Sequence, residues 1–145
     1  MAADRTDCDI RKATLADADA LFELAQQLAT SFQPQREAFE RCLGELDTDP
    51  SAWLGVAGRD GMVLGYCLGF DHVAFYANGR VAWVEEIVVR PECRRTGLGA
   101  GLMTAFEDWA RSRGAQLVAL ATRRAVPFYA ALGYEESATY FRKLL

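Results

Sequence analysis

Between Val84 and Leu102 an apolar strand runs into an arginine- and glycine-rich turn, and the turn opens a helix. The segment reads Val84-Glu85-Glu86-Ile87-Val88-Val89-Arg90-Pro91-Glu92-Cys93-Arg94-Arg95-Thr96-Gly97-Leu98-Gly99-Ala100-Gly101-Leu102. Such a chain sets a strand end beside a helix start, and that junction is an anion site built from backbone. Glycines at 97 and 99 let the chain approach a phosphate with no Cβ in the way. The unpaired N–H groups of the first helical turn point at it. Arg94 and Arg95 add positive charge. A phosphate-bearing cofactor is the leading expectation.

Two familiar phosphate motifs fail on spacing. A P-loop closes with Gly-Lys-Ser/Thr, whereas Gly99 is followed by Ala100 and Gly101. A dinucleotide fingerprint needs Gly-x-Gly-x-x-Gly, and the third glycine position here is Leu102. The strand, arginine turn and helix are instead similar to the acetyl-CoA motif of the GNAT superfamily of N-acetyltransferases, Arg/Gln-x-x-Gly-x-Gly/Ala. Arg94, Gly97 and Gly99 match it as they stand. A second match lies at Phe128-Tyr129-Ala130-Ala131-Leu132-Gly133-Tyr134, where the family often carries Phe-Tyr-x-x-x-Gly-Phe/Tyr.

The chain has 145 residues, 51% of them hydrophobic and 25% charged. That is the size and composition of one globular domain, and the resemblance implies that residues 1–145 form a single N-acetyltransferase domain. The formal net charge of −4 argues against a nucleic-acid binder, which favours a basic domain. Cys8, Cys42, Cys67 and Cys93 form no C-x-x-C pair, and His72 is the only histidine. No metal site is expected; free thiols in a reducing compartment fit better. Met1 to Asp9 lacks the basic start and apolar run of a signal peptide, and no stretch approaches a membrane span. The cytoplasm is the default, with no membrane partner.

Apolar spacing and turn chemistry predict the elements in order. Asp9 to Ala13 reads as a strand. Thr14 starts a helix with Asp17 in a capping-box position, and Leu21, Leu24, Ala25 and Leu28 face the core. A second helix runs from Arg36 to Leu46, with Phe39 and Leu43 on one face. Strands follow at Ala52–Ala57 and Met62–Phe70, joined by Gly58-Arg59-Asp60-Gly61, and at Val81–Val89 after the Asn78-Gly79 turn. A helix at Gly99–Arg113 buries Leu102, Phe106, Trp109 and Ala110, and Gly114 stops it. Leu117–Ala121 is a strand, Val126–Leu132 a helix, and Thr139–Leu144 a last strand. This order predicts one mixed sheet flanked by helices, an α/β (α+β) chain. It also matches the GNAT (acyl-CoA N-acyltransferase) fold, whose sheet is mostly antiparallel. The resemblance spans roughly Cys8 to Leu144.

The resemblance implies direct acetyl transfer from acetyl-CoA, as co-substrate, to a primary amine of a small molecule or protein. It assigns the pantetheine arm and thioester oxygen to the backbone of Ile87, Val88 and Val89, the pyrophosphate to Arg94, Arg95, Thr96, Gly97, Leu98, Gly99 and Ala100, and the general acid to Tyr129. Thr122 stands where the family frequently has a pantetheine-contacting Asn. For the base, Glu85 comes first and Glu86 second, because charges inside an apolar strand need a reason. Strand alternation sends one of the two towards the cofactor cleft and the other elsewhere. His72 is a further candidate base, and Arg123 or Arg124 a further phosphate contact. Each residue also has a plainer reading: a central strand for Ile87–Val89, surface arginines, a packed Tyr129, an ion-paired glutamate and an incidental Cys93. The alternative function is a CoA-binding sensor or interaction module without catalysis, and a third reading is a generic nucleotide-phosphate binder. A homodimer through sheet edges is compatible with the resemblance.

Overall fold

The computed structural model describes residues 8–145; most of the polar N-terminal stretch read above lies outside them. The elements are β1 (Asp9–Lys12), α1 (Ala18–Leu28), α2 (Arg36–Thr48), β2 (Ala52–Arg59), β3 (Met62–Ala74), β4 (Gly79–Val89), α3 (Leu98–Ser112), β5 (Val118–Leu120) and α4 (Val126–Ala131). The five strands form one sheet in the order β1-β2-β3-β4-β5. The first four are antiparallel neighbours, and β5 lies parallel to β4.

Local chemistry explains the joints. The Asp17 carboxylate accepts the Thr14 backbone N–H at 2.8 Å. This fixes a short 3-10 turn, Leu15–Asp17, ahead of α1. Asp60 and Gly61 both have positive φ (53° and 76°), the backbone of the two-residue turn whose twist suits a hairpin. Asn78 closes a second turn at φ 57°.

Each face of the sheet buries its own cluster. Leu21 and Leu24 of α1 and Leu43 of α2 pack on Val56, Tyr66, Leu68 and Val88. On the other face Leu98, Leu102, Met103 and Phe106 of α3, with Tyr129 of α4, cover Ala57, Cys67, Ala82 and Val84. Leu24, Leu102 and Phe106 are 0% exposed, and full burial of such a side chain is worth about 1.5–3 kcal/mol. Trp109, expected in the buried stripe of α3, is only half-buried.

Two expectations are corrected. The strand predicted to stop at Phe70 continues to Ala74, with Asp71 and His72 inside it and paired to Ala82 and Val81. The predicted strand at Thr139–Leu144 is absent; no strand follows α4. The edge strand β5 is only 3 residues long, too short to template a longer neighbour. Tyr140 instead stacks on Trp83 (6.4 Å between centroids, 24° between planes). Among the described residues no helix is long and apolar enough to cross a membrane.

Candidate active site

The site begins where β4 loses a neighbour. β5 pairs with β4 only at Ala82–Val84, while β4 runs on to Val89. The direction of the free backbone groups follows from the ladder. The Arg90 N–H donates to the Leu64 carbonyl at 2.8 Å, and Val88 sits opposite Tyr66 and Val89 opposite Gly65. Antiparallel pairs alternate between bonded and non-bonded. Val88 therefore spends its N–H and C=O on β3, while those of Ile87 and Val89 point to the open edge. Of the three backbones expected to act together, two face the edge and Val88 does not.

The sheet is irregular just before that edge. Leu68 pairs with Glu86 and Gly69 with Val84, so Glu85 is left without a partner. This is a β-bulge, and it resets the alternation of β4. Val84 lies in the core under α3, so Trp83 faces the α1/α2 side. Glu85 shares that side, accepting the Trp83 Nε1–H at 3.0 Å. Glu86 shares it too, accepting the Tyr66 hydroxyl at 2.7 Å. The expectation that neighbouring glutamates diverge is therefore corrected: the bulge turns both carboxylates to one face. Gly69 makes room on the opposite face, where a Cβ would collide with the Phe106 ring.

The anion-binding end lies past Val89. A turn at Pro91–Cys93 leads to Arg95 and Gly97, both left-handed (φ 64° and 88°). The Thr96 hydroxyl bonds the Cys93 carbonyl at 2.5 Å and cinches the turn. The first N–H to close onto this helix is that of Gly101, donating to the Gly97 carbonyl at 2.9 Å. Those of Leu98, Gly99 and Ala100 have no intrahelical partner. Arg94 and Arg95 are exposed, and neither forms an ion pair among the described residues. Unclaimed N–H groups at the start of a 15-residue helix, beside two unpaired guanidiniums, suit a pyrophosphate. This local chemistry fits the phosphate end of CoA.

Tyr129 reaches the region from the α3/α4 side. It is 8% exposed, edge-on to Phe128 (4.9 Å) and Tyr134 (5.9 Å). Phe128 in turn packs against Gly99, where a Cβ would sit 3.3 Å from its ring, tying α4 to the start of α3. The Tyr129 hydroxyl bonds no side chain among the described residues, and it is not sealed from solvent. Burial, with Cys67 adding to it, pushes its phenol up to about 12, so it keeps its proton at neutral pH.

Other candidates lie outside this arrangement or have other partners. His72 is exposed and opposite Val81, towards the far end of β4 from Ile87–Val89. The Thr122 hydroxyl accepts the Ala125 N–H at 3.1 Å. Arg123 and Arg124 are exposed in the loop before α4. A cavity of about 420 Å³ lies between the second half of α3, β5 and the end of α4, lined by Ala110, Leu117, Val118 and Tyr134 among others. It is away from the glycine turn. Sequence reasoning missed Tyr66. The signal was a tyrosine inside an apolar strand, because a buried phenol needs a partner.

A mixed sheet flanked by helices, with an open β4 edge beside a phosphate-ready helix, is the architecture of an acyl-CoA-dependent N-acyltransferase. The sequence pattern of the Acetyltransferase (GNAT) family matches residues 18–134. The aminoalkylphosphonate N-acetyltransferase of Salmonella typhimurium is 32% identical over 95% of this chain and 92% of its own length. The aminoglycoside N(6')-acetyltransferase type 1 of Stenotrophomonas maltophilia is 30% identical over 92% of this chain and 91% of its own. The solved structure of AAC(6')-Iy in complex with the bisubstrate analogue CoA-S-monomethyl-acetylneamine has a TM-score of 0.79 at 22% identity, covering 95% of this chain and 99% of that one. The chain belongs to the GNAT family and is an acetyl-CoA-dependent N-acetyltransferase.

Proposed function

We propose that this chain, as one N-acetyltransferase domain over residues 1–145, acetylates a small-molecule primary amine by direct attack on the thioester of acetyl-CoA. One observation carries the reading: the open β4 edge is reached from both faces of the sheet. The Ile87 and Val89 backbones line the edge. Tyr129 comes from the α3/α4 face and Glu85 and Glu86 from the other.

Each requirement of the reaction has a group suited to it. The Leu98, Gly99 and Ala100 N–H groups, with Arg94 and Arg95, hold the pyrophosphate. The Ile87 N–H polarises the thioester carbonyl, where an aligned donor is worth a few kcal/mol, about 3. Tyr129 donates its phenolic hydrogen towards the departing sulfur. The amine enters from the α1/α2 face, and Glu85 or Glu86 removes its proton. The Val88 backbone is spent on β3, whereas the Thr122 hydroxyl accepts the Ala125 N–H and keeps its own hydrogen to offer the cofactor.

Two adjacent carboxylates favour a cationic acceptor. The named activities of the two relatives supply the first probes, an aminoalkylphosphonate and an aminoglycoside. A cytoplasmic homodimer is the setting we infer for the enzyme. Acetyl-CoA should raise the melting temperature, while ATP and NAD should leave it unchanged. Thiol release should then depend on an added amine. Binding without amine-dependent thiol release would replace the enzyme with a CoA sensor.

A further inference from the structure

Tyr66 is 3% exposed in the middle of β3, among the apolar side chains that α1 and α2 cover. A hydroxyl in such a place is costly unless bonded. Its partner is Glu86 Oε1, at 2.7 Å. The contact exists because of the bulge. Leu68 sits directly opposite Glu86 and Tyr66 opposite Val88, so Tyr66 meets the carboxylate on the diagonal, within reach of a long side chain. Were β4 regular through Glu85, strict alternation from Val84 would carry Glu86 to the α3 face.

The two glutamates are held differently. Glu85 is exposed and bonded to Trp83, two residues away on its own strand. Glu86 is half-buried and fastened to a neighbouring strand by a phenol that core packing holds. Its Oε2 accepts no hydrogen bond among the described residues and is not sealed from solvent. One oxygen is therefore anchored and the other free. Few charges surround the pair. Glu85 is next to it, and the nearest basic group along the strand, Arg90, is engaged by Glu23 of α1 at 3.1 Å. No ion pair from α1 or α2 reaches Glu86 among the described residues.

We propose that Tyr66 is a positioning residue that holds Glu86 as the carboxylate receiving the amine proton, with Glu85 in a secondary place. This rests on the acetyltransferase reading of the β4 edge. The phenol holds Oε1 and leaves Oε2 as the free acceptor, so Tyr66 fixes where Glu86 meets the amine proton.

The test uses the full chain and the variants Tyr66→Phe, Glu86→Gln, Glu85→Gln and the Tyr66→Phe/Glu86→Gln double variant. Tyr66→Phe removes one oxygen and keeps the ring. The first readout needs no acceptor: the 13C carboxyl resonance of Glu86 should move at neutral pH in Tyr66→Phe, because the hydrogen bond to Oε1 is gone. The second is thiol release from acetyl-CoA with an aminoalkylphosphonate and with neamine. There kcat should fall about tenfold in Tyr66→Phe, the loss of roughly one charge-assisted hydrogen bond. The KM for acetyl-CoA should stay the same, so the loss lies in turnover and not in cofactor binding. The double variant should be no slower than Glu86→Gln alone. An unmoved Glu86 resonance in Tyr66→Phe overturns the proposal whatever the acceptor. So does a Tyr66→Phe loss that persists in the Glu86→Gln background. If Glu86→Gln keeps the parental kcat and Glu85→Gln loses it, the base assignment itself falls and Tyr66 falls with it.

Discussion

Tyr129 and Glu86 approach one backbone edge from opposite faces, and their surroundings suit them to opposite tasks. Glu86, the proposed base, has Oε1 bonded to Tyr66 and Oε2 free. Tyr129 is buried enough that its phenol is pushed up to about 12. Handing that proton outright to a thiolate near 8.5 is uphill by roughly 5 kcal/mol. In the proposed mechanism Tyr129 therefore acts as a hydrogen-bond donor while charge builds on sulfur, and transfer completes only as the amine loses its own proton. Tyr129→Phe should lower kcat about a hundredfold and leave acetyl-CoA affinity, measured by calorimetry, unchanged. It should also change stability in alkali. A raised phenol supports the fold fully below its unfolded value near 10, and that support disappears as pH climbs through about 12. The parent should lose on the order of 3 kcal/mol more than Tyr129→Phe across that window. Parallel melting curves for the two would remove the burial argument. Tyr129 and the glycine turn were legible in the sequence because each belongs to a short contiguous motif. Tyr66 was not, because its partner comes from another strand.

At the scale of elements, the strands and turns around the site could be read locally, and the bulge could not. Asp60-Gly61 announces its hairpin by residue type alone. The bulge at Glu85 depends on what packs across the sheet, where Gly69 admits the Phe106 ring. Reading β4 as a regular strand sent its glutamates to opposite sides. The same limit explains the C-terminal segment: Thr139–Leu144 has a strand's composition, but whether it pairs depends on the length of β5. Gly69→Ala tests the packing account. Its methyl meets Phe106 and the Trp83 carbonyl, so stability should fall by about 1–3 kcal/mol in urea unfolding. Activity should fall as well, since the displaced strand carries both carboxylates. Gly114→Ala is the contrast: no atom lies within 4 Å of its Cβ position, so it should cost only the strain of a left-handed backbone, about 1–2 kcal/mol, and leave turnover unchanged. Equal loss of turnover in the two variants would disconnect the bulge from the reaction.

Across the whole molecule, the open edge has to be held open while the rest of the sheet stays closed. The end of the sheet remote from the glycine turn is fastened by Asp71. Its side chain is 0% exposed, bonded by Arg80 Nε at 2.5 Å and Arg113 Nε at 3.0 Å. Both guanidiniums also approach the Ser51 hydroxyl, at 3.4 and 3.5 Å. One carboxylate thus joins β3, the start of β4, the residue after α3 and the loop before β2. Burial works against its charge, but the bonds to Arg80 and Arg113 outweigh burial and hold its carboxyl below the ordinary value. The sign of the pH effect follows. A lowered carboxyl contributes its stability above the unfolded value, near 3.9, and that contribution disappears as pH falls through the lower folded value. Asp71→Asn should cost about 1–3 kcal/mol at neutral pH, the loss of charge-assisted hydrogen bonds to two partly exposed arginines. It should also lose less additional stability than the parent between pH 4 and pH 2. Because the clamp sits at the end remote from the glycine turn, acetyl-CoA should still raise the melting temperature of Asp71→Asn by about as much as it raises the parent's. A variant that melts early and no longer responds to acetyl-CoA would show that the two ends of the sheet are coupled and that the clamp also shapes the site.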